Sequence, residues 1–157
     1  GTAILLQALT DNRNRTVSDV RSTFSKAGGN LAETGAVAWQ FEQKGVVVVE
    51  ADQNQAEDLT LIAIDAGAED FDAFNSTLQI YSPPELLEEL RNILDINDAA
   101  IQSSEILMVP KNSIALDDST ALQTLRLLDH LEELDDIQKV FSNGDFPDEV
   151  LEKYRKE

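Results

Sequence analysis

The chain has 157 residues, and its 12 Lys and Arg face 30 Asp and Glu, a formal net charge of −18. Hydrophobic residues make up 42%, enough for a packed core, and the absence of cysteine excludes disulfides, thiolate metal sites and Cys-His nucleophiles. No apolar run approaches the roughly 20 residues that span a bilayer, and the start carries no signal or transit pattern. The charge is unevenly placed. Residues 1–50 hold five Lys/Arg and five Asp/Glu, whereas residues 51–157 hold seven against 25 and so carry the whole imbalance. One region can meet an anion while most of the surface repels it. Residue 1 is Gly and the one Met is Met108, so the chain is expected to start inside a longer product or to follow a cleavage.

Residues 3–9 (AILLQAL) read as a short buried strand. TDNRNRT (10–16) follows as a loop. A helix then runs from Val17 to Ala27, with Thr16 and Asp19 as a capping box and Val17, Val20, Phe24 and Ala27 as its apolar stripe. Gly28-Gly29 ends it. Residues 36–42 alternate, with Val37, Trp39 and Phe41 on the core side. Gln43-Lys44-Gly45 then reads as a turn into the β-branched run Val46–Val49, which together predicts a hairpin. A helix near Ala56 to Ala66 comes next, with Leu59, Ile62, Ala63 and Ala66 as its stripe. Strands near Phe71–Phe74 and Thr77–Tyr81 are joined at Asn75-Ser76. Ser82-Pro83-Pro84-Glu85 reads as a helix start, with Ser82 as cap and Glu85 closing the box. Leu86, Leu90, Ile93 and Leu94 then face a core. Residues 100–109 form a strand ending at Pro110, and Asp118 or Ser119 caps a long helix to about Leu134. Ile137–Phe141 is a last strand, and residues 146–157 are a charged, partly ordered tail.

The order predicts an α+β chain of two ferredoxin-like α/β sandwich domains, the second inserted in the first. Residues 1–51 plus 113–145 make one βαββαβ domain, residues 52–112 the acidic αββαβ insert. Tandem domains with a boundary near residue 52 are the competing plan. They would leave the long helix and the final strand without a sheet.

Chemistry-bearing candidates are few. At a strand-to-helix junction, free backbone N–H groups and the helix dipole favour an anion. TDNRNRT adds the forked donors of Arg13 and Arg15, and Asn12 and Asn14 can bond bases, ribose or peptide groups. Asp11 and Asp19 partly cancel that charge, so a plain turn with solvated arginines is the alternative. GGNLAETG (28–35), with Gly29 and Asn30, lets a backbone approach a ligand closely. It follows a helix and precedes a strand, the wrong order for a Walker or Rossmann loop. Trp39 can stack on a base, but its alternation places it in the core. His130 shares a polar helix face with Gln123, Arg126 and Glu133 and reads as solvated. The adjacent carboxylates Glu69-Asp70, Asp117-Asp118, Glu132-Glu133 and Asp135-Asp136 point apart and read as solvated charge. Asp70 to Asn75 lacks the central glycine of an EF-hand. The two sequons, at Asn14 and Asn75, read as chance without a secretory signal. No cofactor and no metal site is expected.

TDNRNRT, FSKAGGNLAETG with its following AVAWQFEQKGVV, and MVPKNSIAL together resemble the YebC family, from about Ala3 to Asp148. That family includes the PmpR-type regulators and the mitochondrial translational activator of cytochrome oxidase subunit I. The resemblance implies a non-enzymatic protein of three domains: an N-terminal helical domain and two α/β domains, the last inserted in the middle one. Members are described as DNA-binding transcriptional regulators, and others act in translation at the ribosome. Nothing here matches the basic N-terminal domain with its GHSKW-like signature, so the chain corresponds to the two C-terminal domains.

The resemblance and the charge pattern together imply a gene-expression regulator meeting DNA or ribosomal RNA through the first domain. Asn12, Arg13, Asn14, Arg15, Arg21, Lys26, Gly29, Asn30 and Lys44 are the candidate contacts. Four phosphate contacts would give a salt slope of about 3, too few for tight duplex binding alone. The alternative is an acidic module that docks ribosomal or polymerase proteins without touching nucleic acid. A third possibility, an enzyme or small-molecule sensor, requires a deep pocket with convergent polar groups. No membrane partner is implied, and the expected place is the bacterial cytoplasm, or an organelle matrix in a eukaryote.

Overall fold

The computed structural model describes residues 2–32 and 35–156. They divide into two compact units. One is built from residues up to Glu42 and from Pro110 onward (the outer unit), the other from Gln43–Val109 (the inner unit). The chain is α+β, with one unit inserted in the sequence of the other.

The inner unit holds the four-stranded sheet. It is made by β2 (Phe41–Glu50), β3 (Asp70–Phe74), β4 (Thr77–Ser82) and β5 (Ala100–Pro110), in the order β3-β4-β2-β5. α2 (Gln53–Asp65) and α3 (Leu87–Ile96) complete a βαββαβ sequence, and this strand order is the ferredoxin-like plan. β4 alternates between buried and half-buried positions. Its Leu78 and Ile80 join Val47, Val49, Leu59, Ala63, Leu90 and Leu94 in one core. Asp52 caps α2 through a box with Gln55, a start signal that lies ahead of the expected one. Asn75 and Ser76 both take positive φ, 48° and 61°, as a two-residue hairpin turn requires.

The expected hairpin over 36–49 is not there. Ala38–Gln40 form a 3₁₀ turn, and β2 is one continuous ten-residue strand. Gly45, expected in a turn, sits inside that strand opposite Ser82. A Cβ there would lie 2.7 Å from the Ser82 hydroxyl oxygen and 2.9 Å from Leu87 Cβ. The glycine serves close packing. The inner unit therefore begins before residue 52, because the second half of β2 is a central strand of its sheet. Ser82 likewise ends β4 as a fully buried residue and caps no helix. A 3₁₀ turn over Pro84–Leu86 leads into α3.

In the outer unit β1 (Ile4–Ala8) pairs antiparallel with β7 (Ile137–Ser142). α1 (Arg13–Lys26) and α4 (Asp118–Glu132) pack on each other, and Val20, Phe24, Leu131 and Ile137 form the core. β6 (Ile114–Ala115) and β8 (Gly144–Asp145) form a short parallel pair. Asn143, only 2% exposed, ties the unit together. Its Oδ1 accepts from the Ala3 amide at 2.8 Å and its Nδ2 donates to Gln40 Oε1 at 3.1 Å. The segment expected to be a charged, partly ordered tail forms α5 (Asp148–Lys156), which buries Val150 and bonds Asp129 through the Tyr154 hydroxyl.

Leu90→Ala empties a fully buried position of the inner core and is expected to cost about 2–5 kcal/mol. Asn143→Ala leaves a buried amide unpaired in the outer unit and is expected to cost about 1–3 kcal/mol. Urea unfolding followed by Trp39 fluorescence and by far-UV circular dichroism measures both.

Candidate nucleic-acid interface

The helix carrying the candidate arginines begins four residues earlier than the sequence suggested. Asn12 is the N-cap, and its Oδ1 accepts from the Arg15 amide at 3.1 Å. Arg13, Asn14 and Arg15 therefore occupy the first turn of α1, and a side chain already fills part of the amide-rich end. Thr16, expected as the cap, is buried inside the helix.

Arg15 is not a free cation. Its Nη2 donates to both oxygens of Asp136, at 3.1 and 3.0 Å, and to Asp11 Oδ1 at 3.3 Å. The Thr16 hydroxyl donates to Asp136 Oδ2 at 2.6 Å and lies 2.8 Å from the Thr10 hydroxyl oxygen. The Leu9 amide donates to the Asp136 carbonyl at 2.9 Å. This network staples the start of α1 to the α4–β7 turn. The Thr16 hydroxyl, and after it Arg15, hold the Asp136 carboxyl below the usual carboxylate range. The bond to Asp136 raises the Arg15 guanidinium correspondingly. Arg15, expected among the phosphate contacts, is thus also a structural group that pins the start of α1.

Lys44, also among the expected contacts, is paired as well. It lies in the inner unit, half-buried, with its ammonium on Glu69. Gly29 caps α1, its amide donating to the Phe24 carbonyl at 2.8 Å. Gly28 beside it takes φ +82°, the left-handed conformation that glycine adopts without cost. Asn30 borders an apolar hollow of about 380 Å³ that includes Phe24 and Leu31. The rest of the GGNLAETG expectation, Glu33 and Thr34, lies outside the described residues. Trp39, expected in the core, is 68% exposed, and its indole N–H donates to the Ala36 carbonyl at 3.0 Å.

Arg13, Arg21 and Lys26 are exposed and make no ion pair among the described residues. They do not share one face. Lys26 lies about 140° around the helix from Arg21 at 3.6 residues per turn. What Lys26 does share is a groove. α1 and α4 run antiparallel, since Arg15, Thr16 and Asp19 meet Glu133 and Leu134 while Thr23 and Lys26 meet Gln123, Arg126 and His130. The second end is a cavity of about 520 Å³, lined also by Ala27 and Leu127 and by no carboxylate. The first end, about 340 Å³, has Asp19, Glu133, Asp135 and Asp136 around Arg15. One interhelical face is thereby cationic at one end and anionic at the other. Arg126, Gln123 and His130 were missing from the expected contacts. Their i, i+3, i+7 spacing was visible, but not the Lys26 they face.

Fold and site define the class: an α+β chain with a ferredoxin-like inner unit and, on its outer unit, a cationic groove between antiparallel helices. The chain belongs to the TACO1/YebC family, matching the model of that family's second and third domain over residues 1–144. It is 52% identical over 157 residues to a protein of Dehalococcoides mccartyi named a probable transcriptional regulatory protein. It is 46% identical over 154 residues to one of the same name in Methylacidiphilum infernorum. These matches cover 100% and 98% of this chain, which spans 62% of the length of each relative. The crystal structure of the conserved hypothetical protein Aq1575 of Aquifex aeolicus superposes with a TM-score of 0.86 at 41% identity. That match covers 96% of this chain and 63% of the other. No helix among the described residues is long and apolar enough to cross a membrane.

Asp136→Asn is expected to lower the melting temperature at pH 7. Because the folded-state carboxyl is depressed, its contribution is present above the unfolded value of about 3.9 and lost as pH falls through the folded value. Melting curves of the variant and the parent should therefore begin to converge as the pH falls below about 4. A gap that does not narrow at all on further acidification would show that the charge is not the cause.

Proposed function

We propose that the chain is the nucleic-acid-facing part of a non-enzymatic gene-expression regulator, and that the outer unit meets the phosphate backbone at the carboxylate-free end of the α1–α4 groove. Lys26 and Arg126 supply the charge, and Gln123, His130 and Thr23 supply hydrogen-bonding groups around it. The observation that carries this is the lining itself. In a chain of net charge −18, a concave surface bounded by two cations and no acid is a local reversal of the field, and such reversals collect polyanions. The name shared by the relatives, probable transcriptional regulatory protein, supports DNA as the polyanion. Arg13 and Arg21, exposed elsewhere on α1, add longer-range attraction, and the exposed Trp39 offers a stacking face.

Two to four phosphate contacts make the binding weak and salt-sensitive. The expected salt slope for duplex DNA is about 2–3.6 at 0.9 per contact. The acidic inner unit opposes non-specific adhesion, so stable recruitment calls for further contacts. A structured RNA–protein surface such as the ribosome supplies both kinds and is the second target to test.

Lys26→Ala/Arg126→Ala should lower affinity for labelled duplex DNA and reduce the salt slope by about 1.8. Arg15→Ala should leave the slope unchanged, because its charge is already spent on Asp136. Anisotropy titrations at several salt concentrations, with a ribosome-pelleting arm, read both. If the double variant binds DNA and ribosomes like the parent, the groove has no part in recognition.

A further inference from the structure

The inner unit has a concave surface of a different kind. Between the first half of α2 and the β3–β4 hairpin lies a cavity of about 710 Å³, with Ala56, Thr60 and Leu61 on one side and Phe71, Ala73 and Phe74 on the other. Leu61 is 66% exposed and Phe74 43%, more apolar surface than the packing of this unit uses. β3 is the outermost strand of the sheet, so one row of its backbone groups has no strand partner. Its register sets the side chains. Phe71 opposes Ile80 and Ala73 opposes Leu78, both core residues, so these two point to the α2 side. Asp70 and Asp72, opposite Tyr81 and Gln79, point to the other face. The Phe71 amide donates to Oδ1 of its own neighbour Asp70 at 2.9 Å. The unit as a whole, residues 43–109, holds 14 carboxylates against Lys44 and Arg91.

We propose that the β3 edge accepts an extended, basic segment of another protein as a fifth strand. The pleat dictates the pattern of that segment. Side chains turned toward α2 enter the cavity beside Ala73 and Leu61 and must be apolar. Side chains turned the other way stand next to Asp70 and Asp72 and must be lysine or arginine. A lysine there draws the Asp70 carboxylate away from the Phe71 amide and frees that donor for the incoming strand. The same two aspartates make a second copy of this edge a poor partner, since like charges would face each other across the pair. With a net charge of −12 over residues 43–109, the unit selects a cationic occupant. The inference concerns the inner unit and stands or falls independently of nucleic-acid binding by the outer one.

The test uses the whole chain and a labelled peptide of about twelve residues alternating lysine with valine, at low salt. A glutamate–valine peptide and a lysine–valine peptide N-methylated at alternate amides are the controls. The lysine peptide is expected to bind, the glutamate peptide not to, and the N-methylated peptide to bind about tenfold more weakly, because it lacks the donors that pair with β3. Leu61→Ser and Asp70→Asn/Asp72→Asn should each weaken binding by a similar factor, while Glu88→Gln/Glu89→Gln on α3 should not. Leu61, Asp70 and Asp72 are exposed, so these variants are expected to fold, which far-UV circular dichroism checks. In the unsubstituted protein the amide resonances of residues 70–74 should move most on titration. Equal binding of the N-methylated peptide, an equal loss in the α3 variant, or shifts centred elsewhere would each overturn the proposal.

Discussion

The carboxylate of Asp136 fixes the outer unit. It gathers the Thr16 hydroxyl and the Arg15 guanidinium, while its own backbone carbonyl takes the Leu9 amide. One residue at the α4–β7 turn thus holds the end of β1 and the start of α1. With that end pinned, α1 must run back along α4, and the apolar stripe of Val20 and Phe24 meets Leu131 in the core. The same pinning decides which polar groups face each other. Asp19 comes against Glu133 at the stapled end, and Lys26 against Arg126 and His130 at the other.

Charge follows the division into units. The inner one has a strongly anionic surface over a dense apolar core. The outer one is less acidic and carries exposed cations on α1, α4 and α5. An acidic inner unit repels the phosphate backbone that the outer one is proposed to meet, which limits contact to a small footprint and leaves the inner surface for basic protein partners. The two proposals are complementary in sign and sit on separate units.

Much of the fold was legible. The strand at Ile4–Ala8, the hairpin at Asn75-Ser76, the long helix before Leu134 and the final strand at Ile137 all carry periodic apolar patterns with turn or cap signals, and all formed. The misses have two causes. Gly45 looked like a turn because glycine is usually free there, yet it is glycine because Ser82 and Leu87 crowd the strand. Trp39 looked buried because alternation was assumed to continue through a 3₁₀ turn. Ser82 looked like a cap because Pro-Pro follows it, yet it is the buried end of a strand. At Gly45 and Ser82 a long-range contact overrode a local signal, and long-range contacts leave no local trace; at Trp39 the cause is local, the 3₁₀ turn over Ala38–Gln40 that breaks the alternation.

The sequence alone determined the charge asymmetry, the absence of thiol chemistry, the family motifs and the insertion of one unit in another, because each depends on residue type and order. Only the tertiary structure decided which cations are available. Arg15 and Lys44 are neutralised by Asp136 and Glu69, which lie 121 and 25 residues away in the chain, whereas Lys26 and Arg126, 100 residues apart in sequence, converge in a lining that holds no acid. Electrostatic pairing is set by distance in space, and the chain's linear order does not encode that distance until the helices have packed.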